Sequence, residues 1–248
     1  MISNYVDAHC HLDLFQGIQY AVNKEDDLPI KTITVTNAPY AYQPNQSLFE
    51  GTKNIRVGLG FHPELAAQYE SQFDQFVQNL SAARYIGEVG LDGSTRFKNT
   101  YLVQRSIFEK IILAITRTDA KIITVHSRNA VSETIDLLYK NLKGTNNKII
   151  LHWYSGDKAS LLKAVNYGYY FSINHKMLGS EKGLQIIRQI PENQLLTETD
   201  APFTFDKTIK SRLESLRHTI KGLSAIWNYE EEAVKSKIYS NFKNLLIP

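Results

Sequence analysis

The chain has 248 residues, and its 28 lysines and arginines against 25 aspartates and glutamates leave a formal charge of +3 at neutral pH. That balance is too slight to identify a polyanionic ligand by itself, and a single cysteine, Cys10, excludes an internal disulfide framework. The longest uninterrupted apolar run, Ile111 to Ile115, is far short of a membrane span, so the expectation is a cytoplasmic protein with no leader and no membrane contact.

In chain order, short runs rich in Val, Ile and Tyr alternate with longer stretches of helical periodicity. The strand-like runs are YVDAHCH from Tyr5, KTITVTNA from Lys31, IRVGLGFH from Ile55, RYIGEVGLD from Arg84, KIITVHS from Lys121, KIILHWYS from Lys148, GYYFSIN from Gly168 and LLTETD from Leu195. Pro63 suits the first turn of a helix. Tyr101, Phe108, Ile111, Ile112 and Ile115 fall at helical spacing between Phe97 and Asp119. Two closing amphipathic helices are expected, one carrying Leu213, Leu216, Ile220, Leu223 and Trp227, the other Val234, Ile238, Phe242 and Leu245. No linker-like composition interrupts the series, so residues 1–248 are expected to form one domain. Eight alternating units predict an α/β fold, a single (β/α)8 barrel of the TIM type, regular or distorted, with its site at the C-terminal ends of the strands.

The histidines sort themselves to that end. His9, His11, His62, His126, His152 and His175 lie at or just beyond the end of a predicted strand, and only His218 falls inside a helix. Glu88 and Asp92 follow the fourth strand, Glu198 and Asp200 the eighth. Residues two apart on a strand share a face, so His9 and His11 form two neighbouring imidazole ligands. Asp7 lies in the same row, where it would accept the second ring N–H of a liganding histidine. Cys10 points the other way and reads as a small buried residue.

The segments VDAHCHLD, GFHPE, IGEVGLD, TVHSR, LHWYSG and LTETDAPF occur in the order found in the TatD-related metal-dependent deoxyribonucleases, members of the amidohydrolase-like barrels, and the chain resembles that family from Tyr5 to about Phe205. Histidine-rich coordination favours Zn or Mn by ligand softness, whereas the resemblance implies two divalent ions, Mg or Mn. It makes His9 and His11 ligands of one ion, Glu88 a bridge, His126 and His152 ligands of the second, and Asp200 a ligand that also takes the proton of the attacking water. It sets His62 beside the substrate phosphate. DNA is the implied substrate, cleaved by an exonuclease through a metal-bridging hydroxide. Two other readings stand beside it: a hydrolase of amides, lactones or small phosphoesters, and a subunit that binds a partner or nucleic acid.

Around that centre the residues carry alternatives. Arg128 fits either a phosphate contact or a surface salt bridge, and His62 either a substrate contact or a helix cap. Trp153, Tyr154, Phe203 and Phe205 flank the ligand positions and suit stacking on unpaired bases, and of these Trp153 alone is expected to make the contact. His175 suits a phosphate contact or an ordinary loop, and Glu198 a metal or a hydrogen bond behind it. Lys158, Lys176, Lys182 and Lys207 predict a basic mouth. The chain departs from the family pattern at Gly93, Ser94 and Thr95, and the segment after Asp200 is short. In that compactness it is similar to the TatD-type component of bacterial Qat antiphage-defence systems, which implies protein partners in a defence complex.

Overall fold

All eight predicted runs form strands, and they pair side by side in chain order, every pair parallel. The computed structural model describes residues 4–118 and 120–247. The strands are β1 (Tyr5–Cys10), β2 (Ile30–Val35), β3 (Ile55–Phe61), β4 (Tyr85–Gly90), β5 (Ile122–His126), β6 (Lys148–His152), β7 (Tyr170–Ile173) and β8 (Leu195–Thr197). Val6, Ala8 and Cys10 join the apolar core, as alternation along a strand requires. The first and last strands meet through Thr197 Oγ1 donating to Val6 O at 2.5 Å, Asp200 N to His9 O at 2.9 Å and His11 N to Ala201 O at 2.8 Å. The result is the (β/α)8 architecture, nearly closed.

The barrel is distorted at two informative places. Pairing of β1 with β2 slips between Asp7 and Cys10, and pairing of β4 with β5 slips between Ile86 and Val89. His9 sits in the first irregularity and Glu88 in the second. Bulges re-aim side chains and concentrate near functional sites, and here both fall on a candidate ligand. Gly90, two residues beyond Glu88, lets β4 pair closely with β5 where the register resumes. Its φ is 141°, and a Cβ there would lie 2.0 Å from the His126 carbonyl oxygen, so only glycine lets the two strands approach so closely.

The expected helices are present over Tyr101–Ile115, Arg212–Trp227 and Glu231–Leu245. Ser211 caps the second of these by accepting the Glu214 N–H. Pro63 opens only a single 3-10 turn, Pro63–Leu65, and the next α-helix begins at Phe73. Among the described residues no helix is long and apolar enough to cross a membrane.

Candidate metal centre

The end of β1, the slip in β4, the ends of β5 and β6 and the residues after β8 deliver His9, His11, Glu88, His126, His152 and Asp200 to one point at the barrel mouth. His9 Nε2 and His11 Nε2 are 3.3 Å apart. Glu88 Oε2 lies 3.4 Å from each of them, and Asp200 Oδ1 lies 3.4 Å from His11 Nε2 and 3.8 Å from His9 Nε2. Four donors held about 2.1 Å from a common centre in a tetrahedron stand about 3.4 Å from one another. The spacings among His9, His11 and Asp200 fit a cation held by these three donors, with Glu88 Oε2 close to both imidazoles. His9 supports the same reading. Its Nδ1 is 2.7 Å from Thr124 Oγ1, which as an N–H donor leaves the Nε2 lone pair facing the cluster. Burial and the stacked His152 ring, 3.9 Å away, push the His9 imidazole down to about 4, so it is a neutral donor.

The other oxygen of Glu88 faces a second group. Oε1 is 2.7 Å from His126 Nδ1, 2.8 Å from His152 Nε2 and 3.3 Å from His62 Nε2, and the His126 and His152 nitrogens are 3.4 Å apart. Burial opposes ionisation of Glu88, but the imidazoles of His62, His152 and His9 hold its carboxyl well below the usual range. Burial likewise lowers His11, yet Asp200 and Glu88 outweigh it and raise the ring to about 9. Divalent cations displace such protons when they bind.

Supporting contacts depart from the sequence reading in one respect. Asp7 does not hold a histidine. Its oxygens accept Thr199 N at 2.8 Å and Thr199 Oγ1 at 2.7 Å, and Arg212 Nε donates to Oδ2 at 2.8 Å. Arg212, 2 % exposed, also donates to Glu25 Oε2 at 2.9 Å and to Thr32 Oγ1. The β1 register slip separates Asp7 from His9 in the row that strict alternation would make continuous. Asp92 performs the orienting role instead. Its Oδ2 is 2.9 Å from His126 Nε2, leaving Nδ1 toward Glu88. Glu198 is fully buried, accepts Ser172 Oγ and Asn174 Nδ2, and stands 3.8 Å from His152 Nδ1, behind the ring rather than inside the cluster.

A cavity of about 610 Å³ opens above the cluster, and His62, Arg128 and Trp153 all line it. His62 satisfies both of its readings with different atoms. Nδ1 accepts the Glu64 N–H at 3.1 Å and caps the 3-10 turn, while Nε2 faces Glu88. Arg128 is exposed and pairs with no carboxylate among the described residues. Trp153, with φ of 38°, packs partly on the core. His175 is turned away, its Nδ1 2.8 Å from Ser215 Oγ. Of the expected basic residues, Lys176 is paired with Asp206, whereas Lys182 donates to the carbonyl of Ser155, a residue of the cavity wall, and so brings its charge to the rim. Among the described residues that line the cavity itself, Arg128 supplies the positive charge, with Glu64 also on that wall. Sequence reasoning missed Asn37, Ser127 and Ser155, which also line it. Only their positions just after β2, β5 and β6 mark them.

Three known proteins are informative for this site. An uncharacterized metal-dependent hydrolase of Buchnera aphidicola is 26 % identical, with 97 % of this chain and 95 % of that one aligned. A human protein named deoxyribonuclease TATDN3 is 29 % identical over 79 % of this chain and 77 % of its own. The crystal structure of YJJV, a TatD homolog from Escherichia coli K12, superposes with a TM-score of 0.84 at 20 % identity, covering all of both chains, which establishes the shared fold. The model of the TatD-related DNases matches residues 6–246, a span that contains every ligand-bearing strand end described above, and the chain belongs to that family.

Proposed function

We propose that this protein hydrolyses phosphodiester bonds in DNA, from strand ends, with two divalent ions. The observation that carries the reading is Glu88, whose two oxygens each face a separate group of imidazole nitrogens. His9, His11 and Asp200 would complete one site, and His126 and His152 the other. Ions bound there supply Lewis acidity to phosphoryl oxygens and acidify water.

The chain's own residues account for the remaining work. Asp200, in a left-handed conformation with φ of 48° and its N–H tied to His9 O, aims a carboxylate oxygen at the cluster and accepts the proton of the attacking water. Because His62 Nδ1 is committed as an acceptor, its ring proton resides on Nε2. That makes His62 a donor to a phosphate oxygen rather than a third metal ligand. Arg128 offers a forked donor to the neighbouring phosphate. Trp153 forms part of the wall against which bases pack. The cluster is deeply set, with His9 fully buried and Glu88 2 % exposed, so a strand end reaches it more readily than the interior of a duplex.

One observation favours a second reading. A single arginine on the cavity wall is sparse for a polyanion, and a small phosphoester, amide or lactone would need no more. The test is digestion of 5′-labelled single- and double-stranded DNA with Mg, Mn or Zn, beside Glu88→Ala and a chelator control. Metal-dependent shortening lost in Glu88→Ala supports the nuclease; intact DNA with every metal, alongside turnover of a small ester, supports the second reading. On the resemblance to the Qat component we assign the activity to antiphage defence with protein partners. Glu88→Ala in a reconstituted defence system should then abolish protection in a plaque assay.

A further inference from the structure

We infer that Phe203 is the platform on which one unpaired base of the substrate stacks, in the nucleotide beside the bond being cleaved. The inference rests on the DNA reading above and narrows it to single-stranded or frayed ends. Phe203 lines the cavity and is 62 % exposed, and its ring stands 5.1 Å from that of His11 at an interplanar angle of 77°. An apolar ring therefore lies open to solvent directly beside a candidate ligand.

This exposure is not that of a slack loop. On one side of the ring, Ala201 O accepts the His11 N–H at 2.8 Å; on the other, Phe205 N donates to Pro202 O at 3.0 Å. The fully buried Thr204 donates its hydroxyl to Thr199 O at 2.6 Å, and the Phe205 ring packs against Phe15 at 5.8 Å. Each neighbour of Phe203 is tied down, so the main chain that carries its ring is held in place, and the ring itself rests edge-on against His11. A surface organised before binding loses little freedom when a ligand arrives.

The rest of the mouth says what kind of ligand this is. Phe203 follows β8 and touches the residue after β1, whereas Arg128 follows β5, across the barrel. A strand laid over the cluster thus meets an aromatic face at one wall and a cation at the other, the combination that holds a base and a phosphate of a single strand. Inside a duplex both faces of a base are already covered by its neighbours. The platform consequently serves only a base that is unpaired. Trp153 is the less open ring, since it packs partly on the core.

The experiment compares wild type, Phe203→Ala and Phe203→Trp on a labelled single strand and on a blunt duplex of the same sequence. Binding is read by fluorescence anisotropy in chelator, and cleavage by kcat and KM with metal. Losing one stacked base is expected to weaken single-strand binding and raise KM by about 5- to 100-fold, a loss at least fivefold greater than on the duplex, with Phe203→Trp restoring it. An equal loss on both substrates, or none, overturns the inference while leaving the nuclease reading intact. If wild type neither binds nor cleaves any DNA, both fall together. Unchanged thermal melting of Phe203→Ala separates the effect from misfolding.

Discussion

Replacing Arg212 with methionine tests how the floor of the centre is built. The guanidinium is 2 % exposed and reaches Asp7, Glu25 and Thr32. Glu25 has a side chain 16 % exposed and can recover water when its partner goes. Asp7 is fully buried and cannot, so the substitution strands a carboxylate with only the Thr199 N–H and hydroxyl for company. Breaking a buried pair from one side costs about 3–5 kcal/mol, and for a chain of this size that lowers Tm by about 6–20 °C. Adding Asp7→Asn removes the stranded charge while keeping an acceptor for Thr199 N–H, and should recover at least half of the loss. The assay is a double-mutant cycle by thermal and denaturant unfolding. Arg212→Met costing under about 1 kcal/mol, or a double mutant no better than the single, would show that Asp7 does not depend on this cation.

Further outcomes follow from the same geometry. Asp92→Asn removes the carboxylate that orients His126, and should weaken metal binding by about 10- to 100-fold in a competition titration with a chromogenic chelator. His62→Asn should keep the wild-type metal content by elemental analysis while lowering kcat by about 100-fold; loss of an ion instead would make His62 a ligand. Gly90→Ala drives a Cβ toward the His126 carbonyl and should destabilise the fold by on the order of 3 kcal/mol. Stripping metal with a chelator should lower Tm, and restoring the ion should raise it in a concentration-dependent way.

The strands were readable because parallel strands covered on both faces appear as apolar runs, and histidines at the ends of those runs stand out against that background. Glu88 and Asp200 stand at strand ends as well, but so do Asp92 and Glu198, and only the family resemblance singled out the first pair. Asp7 was not, because its partner is 205 residues distant and an arginine at the start of an amphipathic helix carries no local sign of burial. The slips in β1 and β4 were also invisible, since they change main-chain pairing, and the glycines near Glu88 mark close packing as readily as a bulge. Asp92 was in view, four residues beyond Glu88, yet only three-dimensional proximity selects it over Asp7. Local sequence misjudged Lys176 for a related reason. It displays Lys176 but not the Asp206 that neutralises it.

The join between β1 and β8 gives the proposed ions a role in assembly as well as chemistry. The Thr197 to Val6 hydrogen bond spans 191 residues, and His9, His11 and Asp200 lie along the same seam, with Asp200 N bonded to His9 O. A cation shared by these three would fasten the first strand to the last, much as a clasp closes a bracelet. Nearly the whole chain must be folded before both halves of the clasp exist, because ring closure over so many residues comes late in forming such a topology. Metal uptake would thus report completion of the barrel, and a chain interrupted before β8 would lack the seam-spanning site however well its earlier strands had formed.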